Sequence, residues 1–313
     1  MKEINAIAGG LLAACLLGSA VTAQAGLLER WRERQAERHA QQAPTDTASH
    51  ALTLGGQRRS YTLLDGRHGS GPAPLLVVLH GGGGSGANML AHWSAIARRE
   101  GLIVAAPDGI GRQPRMGTWN AGGCCGEALA QGLDDVQFVS AVIDEVSRTL
   151  PVDRRRIYIA GFSNGGMLTH RLAIALAERI AGAAVVAGAL FGDEARPKAP
   201  VPMLILHGQK DQVVGYDGGM SPTAFVARAQ AKPFVPVRQA VEFWRSADGC
   251  STPAVVTRQG DARVETSQCQ AGAEVLFYSL ASLDHAWPET AAPAGASIDA
   301  SALIWAFFQR HAR

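Results

Sequence analysis

The chain alternates short apolar runs with longer stretches in which apolar residues recur every three or four positions. The short runs are Arg59–Leu64, Leu75–Leu79, Ile103–Ala106, Ile157–Ala160, Ala183–Val186, Met203–Leu206 and Val275–Leu280. Several are unbroken apolar stretches, the pattern of strands covered on both faces. Between them the longer period predicts helices at Asn88–Glu100, Asp134–Leu150, Gly165–Ala177, Pro236–Ala247 and Ile298–His311. This alternation predicts an α/β domain with a mostly parallel sheet covered by helices. No repeat or low-complexity tract interrupts it, and one domain over residues 50–313 accounts for the order.

The first 49 residues follow other rules. Lys2, the apolar stretch Ile4–Val21 and the small-x-small site Ala23-Gln24-Ala25 predict a signal peptide over residues 1–25. The apolar run is short for a membrane span and no basic residues follow it closely. Leu12-Ala13-Ala14-Cys15 offers a second reading, a lipid anchor on Cys15. Against it, Leu16 and Leu17 keep the chain apolar where a lipoprotein tether turns polar. The expected location is therefore secreted or periplasmic. In residues 26–49, Glu29, Glu33 and Glu37 repeat every four positions, as do Arg30, Arg34 and Arg38. That spacing builds ion pairs along a solvated helix, so this segment reads as a helical or flexible arm, with surface binding as its alternative role.

Composition narrows the class. The 313 residues, 47% hydrophobic and 18% charged, suffice for one large core. A net charge of +2, with basic residues scattered, gives no case for a nucleic-acid partner. After the predicted leader, Cys124, Cys125, Cys250 and Cys269 remain, which allow three pairings. Cys250 and Cys269 flank two β-rich stretches, Val255–Thr257 and Val264–Thr266, so a bridge closing that hairpin is the natural choice in an oxidising compartment. Cys124 and Cys125 are left either as a vicinal disulfide or as buried thiols. No CxxC pair and no paired histidine ligands occur, so neither a metal nor another cofactor is expected.

The chemistry centres on Gly161-Phe162-Ser163-Asn164-Gly165, which follows a β run and opens a helix. A G-x-S-x-G turn in that setting holds its serine in a strained conformation, with the hydroxyl exposed and the helix start aimed at developing negative charge. A serine hydroxyl is a poor nucleophile without a base and an acid to orient it. In this type of site the chain order is serine, acid, histidine. Asp211, in the loop after Met203–Leu206, is the expected acid, with Asp193 as rival and Asp217 and Asp284 weaker. Of nine histidines, His285 follows the last β run and precedes the last helix, where the base belongs. His80 and His207 sit at strand ends and are expected to brace loops.

An oxyanion needs donors. Leu75–Leu79 leads into His80-Gly81-Gly82-Gly83-Gly84, a loop whose amides can approach a substrate without side chains in the way. The amides of Gly82 and Asn164 are the expected donors, with Gly83 as competitor. A phosphate loop would require a Lys-Ser/Thr ending or a helix carrying the G-x-G-x-x-G arrangement; neither matches well, and the set Ser163, Asp211 and His285 explains the loop better.

With these residues, the sequence resembles the secreted bacterial polyhydroxybutyrate-depolymerase and feruloyl-esterase-like family of α/β-hydrolases. The likeness runs from about Arg58 to the last helix. It rests on Leu79-His80-Gly81-Gly82, Trp119-Asn120 with Cys124-Cys125-Gly126, Asp134-Asp135-Val136, the elbow, His207-Gly208 with Asp211, Tyr216 with Gly218-Gly219, and His285 with Trp287-Pro288. The resemblance implies an α/β-hydrolase fold without a large cap domain, the triad Ser163, Asp211 and His285, and the disulfide Cys250–Cys269. Two positions depart from it: the family has glycine near Asp284 and Glu289, and a carboxylate beside the base raises its pKa or alters substrate preference.

The expected activity is carboxylic-ester hydrolysis through an acyl-enzyme. Its substrates would be small or oligomeric hydroxyalkanoate esters or feruloyl esters, with Trp119 and Trp287 either lining the pocket or packed in the fold. The alternatives are a peptidase of the same fold and a non-catalytic binding module that keeps the fold. The latter would be expected to have lost a triad member, and none is missing.

Overall fold

Leu75, Val77 and Leu79 pack into one apolar layer and Leu76 and Val78 into another, and all five are fully buried. A strand whose alternate residues enter two cores must lie in the middle of a sheet covered on both sides. The computed structural model describes residues 47–113, 116–251, 253–290 and 298–313. The predicted signal segment, Cys15 and residues 26–46 of the arm lie outside the described residues.

Ten strands form one sheet. They are β1 (Thr47–Leu54), β2 (Gln57–Asp65), β3 (Ala73–Leu79), β4 (Ile103–Pro107), β5 (Val152–Phe162), β6 (Gly182–Val186), β7 (Met203–Gly208), β8 (Val255–Gln259), β9 (Ala262–Gln268) and β10 (Glu274–Leu280). Their spatial order is β1-β2-β4-β3-β5-β6-β7-β10-β9-β8. The six central strands from β4 to β10 are mutually parallel, while β1, β2, β8 and β9 pair antiparallel at the two edges. All seven predicted strands are present within a few residues of their expected limits. The polar segment before Arg59 predicts no strand, yet Thr47–Leu54 pairs residue for residue with β2. Its side chains are mostly exposed, so burial imprints no apolar pattern on it.

Helices α1 (Gly86–Ala91), α2 (Ser94–Glu100), α3 (Gly126–Ala130), α4 (Asp135–Thr149), α5 (Asn164–Ala175), α6 (Ala224–Ala229), α7 (Val237–Ala247) and α8 (Ala300–Phe308) join the strands. The expected helix Asn88–Glu100 is two helices, broken at His92 and Trp93, where Trp93 turns fully into the core. Helices α3 and α6 are too short for their period to show in the sequence. One core layer gathers Phe138, Val142, Leu168 and Trp244 from α4, α5 and α7; the other gathers Trp93, Ile304, Phe307 and Phe308. No helix among the described residues is long and apolar enough to cross a membrane.

Two disulfides are present, Cys250–Cys269 and the vicinal Cys124–Cys125, whose peptide bond is cis. The first closes the β8–β9 hairpin as expected. The second resolves the choice the sequence left open.

Candidate active site

Parallel register sets the site. Leu79 pairs with Gly161, Phe162 with Val186, Val186 with Leu206, and His207 with Ser279, so the carboxyl ends of β3, β5, β7 and β10 lie level. Open α/β sheets place ligands at this edge.

At the end of β5, Ser163 adopts φ 54° and ψ −122°, a left-handed conformation that a non-glycine residue takes only when its surroundings impose it. The glycines on either side let strand and helix close on it. A Cβ at Gly161 would sit 2.3 Å from the Gly165 carbonyl oxygen, and one at Gly165 would sit 2.5 Å from the carbonyl oxygens of Leu79 and His80.

Asp211 and His285 meet the serine from β7 and β10. His285 Nε2 lies 2.9 Å from Ser163 Oγ, and its Nδ1 lies 2.8 Å from Asp211 Oδ2. Asp211 is fully buried at its side chain, while 14% of the His285 side chain and 8% of Ser163 remain accessible. The other oxygen, Asp211 Oδ1, accepts hydrogen bonds from the amides of Val213 at 2.8 Å and Val214 at 2.7 Å. Burial pushes the Asp211 carboxyl upward, but hydrogen bonds from His207 and then His285 outweigh it and hold the group well below the ordinary carboxylate range. It is an anion at neutral pH.

The loop carrying His285 is anchored on several sides. Asp284 Oδ1 accepts from the amides of His285 at 2.8 Å and Gln212 at 3.1 Å, tying the base's loop to the acid's loop. Lys210 N donates to Leu283 O at 3.0 Å. Glu289 pairs with His92 beyond α1, and Trp287 Nε1 donates to Ser301 Oγ at 3.2 Å. Both carboxylates that depart from the family pattern therefore have structural partners.

The glycine loop after β3 is fixed by the segment beside it. Gly83 N donates to Gly117 O at 2.8 Å and Gly117 N to Gly84 O at 3.0 Å. Gly83 is thus committed, whereas the Gly82 amide makes no hydrogen bond among the described residues. On the other side, Asn164 clamps Trp119: its Oδ1 accepts from Trp119 N at 2.7 Å and its Nδ2 donates to Trp119 O at 3.1 Å. Trp119 Nε1 then donates to His80 O at 2.8 Å. His80 Nε2 accepts from Gly109 N at 2.9 Å, and burial lowers its pKa to about 4, so the ring is neutral. Elbow, Trp119 and glycine loop form one connected unit.

That unit is braced from below. Arg59 Nη2 donates to Asp135 Oδ1 at 2.7 Å, both side chains being buried, and Asp135 Oδ2 accepts from Asn120 N at 2.7 Å. The Arg59 guanidinium lies 4.1 Å from the centre of the Phe138 ring.

The chain is similar to known esterases. Residues 130–232 match the phospholipase/carboxylesterase family. "Putative esterase NocK" of Nocardia uniformis subsp. tsuyamanensis is 30% identical over 268 residues, 79% of this chain and 75% of that protein. The chain belongs to the α/β-hydrolase esterases. Feruloyl esterase B of Piromyces equi is 33% identical over 227 residues, and the match spans 70% of this esterase but only 40% of that protein's length. Among solved structures, the acetyl xylan esterase from Aspergillus awamori shares the fold, with a TM-score of 0.57 at 14% identity over 84% of this chain and 99% of that one.

Ser163, Asp211 and His285 of the esterase come together as their chain order predicts, and the amides of Gly82 and Asn164 lie in the two elements expected to carry donors. The rival Asp193 does not: it is exposed and paired with Lys232. Trp119 takes the packed place rather than the one at the pocket. It is fully buried, its ring against His80 and all its polar groups engaged within the fold, because it joins the elbow to the glycine loop. Trp287 is half-buried and meets Phe162 edge-on at 6.3 Å, and the Phe162 ring in turn lies 5.0 Å from that of His285. Sequence reasoning also missed a groove of about 690 Å³ bordered by Met116, Thr118, Glu127, Leu129, Phe225 and Arg228. It adjoins the glycine loop, since a Cβ on Gly83 would lie 3.6 Å from Met116 Cε. Met116, in a loop, and Phe225, in the short helix α6, are exposed there.

Proposed function

We propose that this esterase is an exported serine hydrolase that cleaves carboxylic esters through an acyl-enzyme. The observation that carries the reading is the continuous contact Asp211–His285–Ser163, with the nucleophile at the accessible end and the anion at the buried end. His285 Nε2 takes the proton from Ser163 as Oγ bonds to the ester carbonyl carbon. The carbonyl electrons move onto oxygen, and the amides of Gly82 and Asn164 hold that oxyanion, each such donor contributing about 10²–10³ in rate. The imidazolium, steadied by Asp211, then gives its proton to the departing alkoxide. Water repeats the sequence on the acyl-enzyme, releasing the acid and restoring Ser163. No cofactor enters these steps.

For substrate class, the names of the relatives favour hydroxycinnamate esters such as feruloyl esters. The resemblance to polyhydroxybutyrate depolymerases makes hydroxyalkanoate oligomers the second choice. Two disulfides and the predicted signal segment support export. Labelling by a serine-directed phosphonate at Ser163, and loss of p-nitrophenyl butyrate hydrolysis in Ser163→Ala, are the expected results. Unchanged hydrolysis in that variant would remove the mechanism. A panel of feruloyl esters, hydroxybutyrate oligomers and short acyl esters then ranks the substrates by kcat/KM.

A further inference from the structure

Two buried histidines behind the triad have nitrogens without hydrogen-bond partners in the structure: His170 Nε2 on α5 and His207 Nδ1 at the end of β7. Both residues are fully buried, where an unpaired polar atom is costly. Their neighbours determine which nitrogens carry hydrogen. An indole N–H only donates, so Trp244 Nε1, 2.9 Å from His170 Nδ1, makes Nδ1 an acceptor and leaves the hydrogen on Nε2. Burial lowers the His170 pKa to about 3, with a further lowering from the nearby His207, so His170 is neutral. A backbone carbonyl only accepts, so His207 Nε2, 2.8 Å from Val214 O, carries a hydrogen.

The far side of His207 reaches the triad. Its Nε2 lies 3.3 Å from Asp211 Oδ2, the oxygen that also bonds His285. We propose that His207 is a positioning residue for the triad acid, supplying Asp211 with its second imidazole donor. The same N–H closes the 211–214 turn through Val214 O, so one group fixes both where Asp211 stands and how its charge is shared. The other titratable groups around His207 are Asp211, His285, which shares Asp211 Oδ2, His170, whose pKa it lowers, and Tyr216, whose ring meets His207 edge-on at 6.0 Å. This inference rests on the triad reading above, and its test is built to fail separately.

The test is the pH profile of kcat/KM for p-nitrophenyl butyrate in His207→Leu, His207→Ala and His207→Gln, with Ser163→Ala as control. The acid limb reports protonation of the free base, which must be neutral to act. Without its second donor, Asp211 directs more of its charge at His285 and favours the imidazolium. The limb in His207→Leu should therefore move to higher pH, and kcat should fall about tenfold, the effect of one lost hydrogen bond to a charged group. KM should stay within about twofold. The glutamine amide can place an N–H where the ring Nε2 stood, so His207→Gln should restore both limb and kcat. His207→Ala, which removes the ring altogether, should shift the limb the same way as leucine. A fall in kcat with an unmoved limb in His207→Leu, or a glutamine variant as impaired as the leucine one, would overturn the proposal while leaving the triad intact. Should His207→Leu fail to fold, an unmoved limb in His207→Ala overturns it. Residual full activity in Ser163→Ala would overturn both readings.

Discussion

Replacing Asn164 by alanine isolates the clamp between the elbow and Trp119. The side chain is 2% exposed and makes two hydrogen bonds, both to the backbone of a residue that is itself fully buried. Its removal leaves Trp119 N–H without a partner, at about 1–3 kcal/mol, while Trp119 C=O keeps the Cys125 amide at 3.0 Å. Alanine returns about 1 kcal/mol through better helix propensity and freed side-chain entropy. The net loss should be about 1–2 kcal/mol, or a fall in Tm of about 2–8 °C for a domain of this size. Urea titration followed by tryptophan fluorescence measures it directly. The backbone amide of residue 164 survives the change, so any loss of kcat must come through the displaced Trp119 and the His80 carbonyl it holds. A variant within about 0.5 kcal/mol of the parent, with unchanged kcat, would refute the idea that elbow and glycine loop are joined through this side chain.

Other substitutions probe separate parts. Gly165→Ala places a methyl 2.5 Å from two carbonyl oxygens, so expression should be retained at about 1–3 kcal/mol lower stability while kcat falls at least tenfold, read by calorimetry and steady-state assay. Cys250→Ser with Cys269→Ser opens a loop with a sequence separation of 19 and should cost about 3 kcal/mol in chemical denaturation, with little change in KM. Burial raises the Asp248 carboxyl to about 7, against the pull of the Val201 amide, and its Oδ2 has no partner among the described residues. The folded protein therefore binds the proton more tightly than the unfolded chain, so stability should fall as pH rises from about 4 to about 7. Asp248→Asn should flatten that slope and be relatively more stable at pH 8 than at pH 4, in unfolding curves taken across the range.

The central strands and the triad were legible because their physics is local. A strand buried on both faces must be an unbroken apolar run, as at Leu75–Leu79 and Met203–Leu206, and a nucleophile at a strand-to-helix turn needs small residues on either side. The edge strand Thr47–Leu54 left no such mark because little of it is buried. The place of Trp119 was hidden for a related reason. Its type suits a pocket or a core equally, and only the position of Asn164, distant in sequence, decides between them. The pairing of His170 with Trp244 was hidden likewise: the partners sit on α5 and α7, and pairing at such separations has no sequence period. Phe225 and Met116 were missed because an exposed apolar residue in a six-residue helix or in a loop follows no pattern.

The outermost strand, β8, has all five residues exposed, including Val255 at 66% and Val256 at 48%, and one of its edges has no neighbour in the sheet. Unpaired strand edges of that kind template the addition of another chain. Arg258 and the shortness of the strand work against stacking, and the Cys250–Cys269 bridge restrains the hairpin. Reducing agents added during purification would therefore alter solubility before they alter chemistry. Loss of material at the concentration step, with specific activity preserved in what remains, is the outcome this edge leads one to expect.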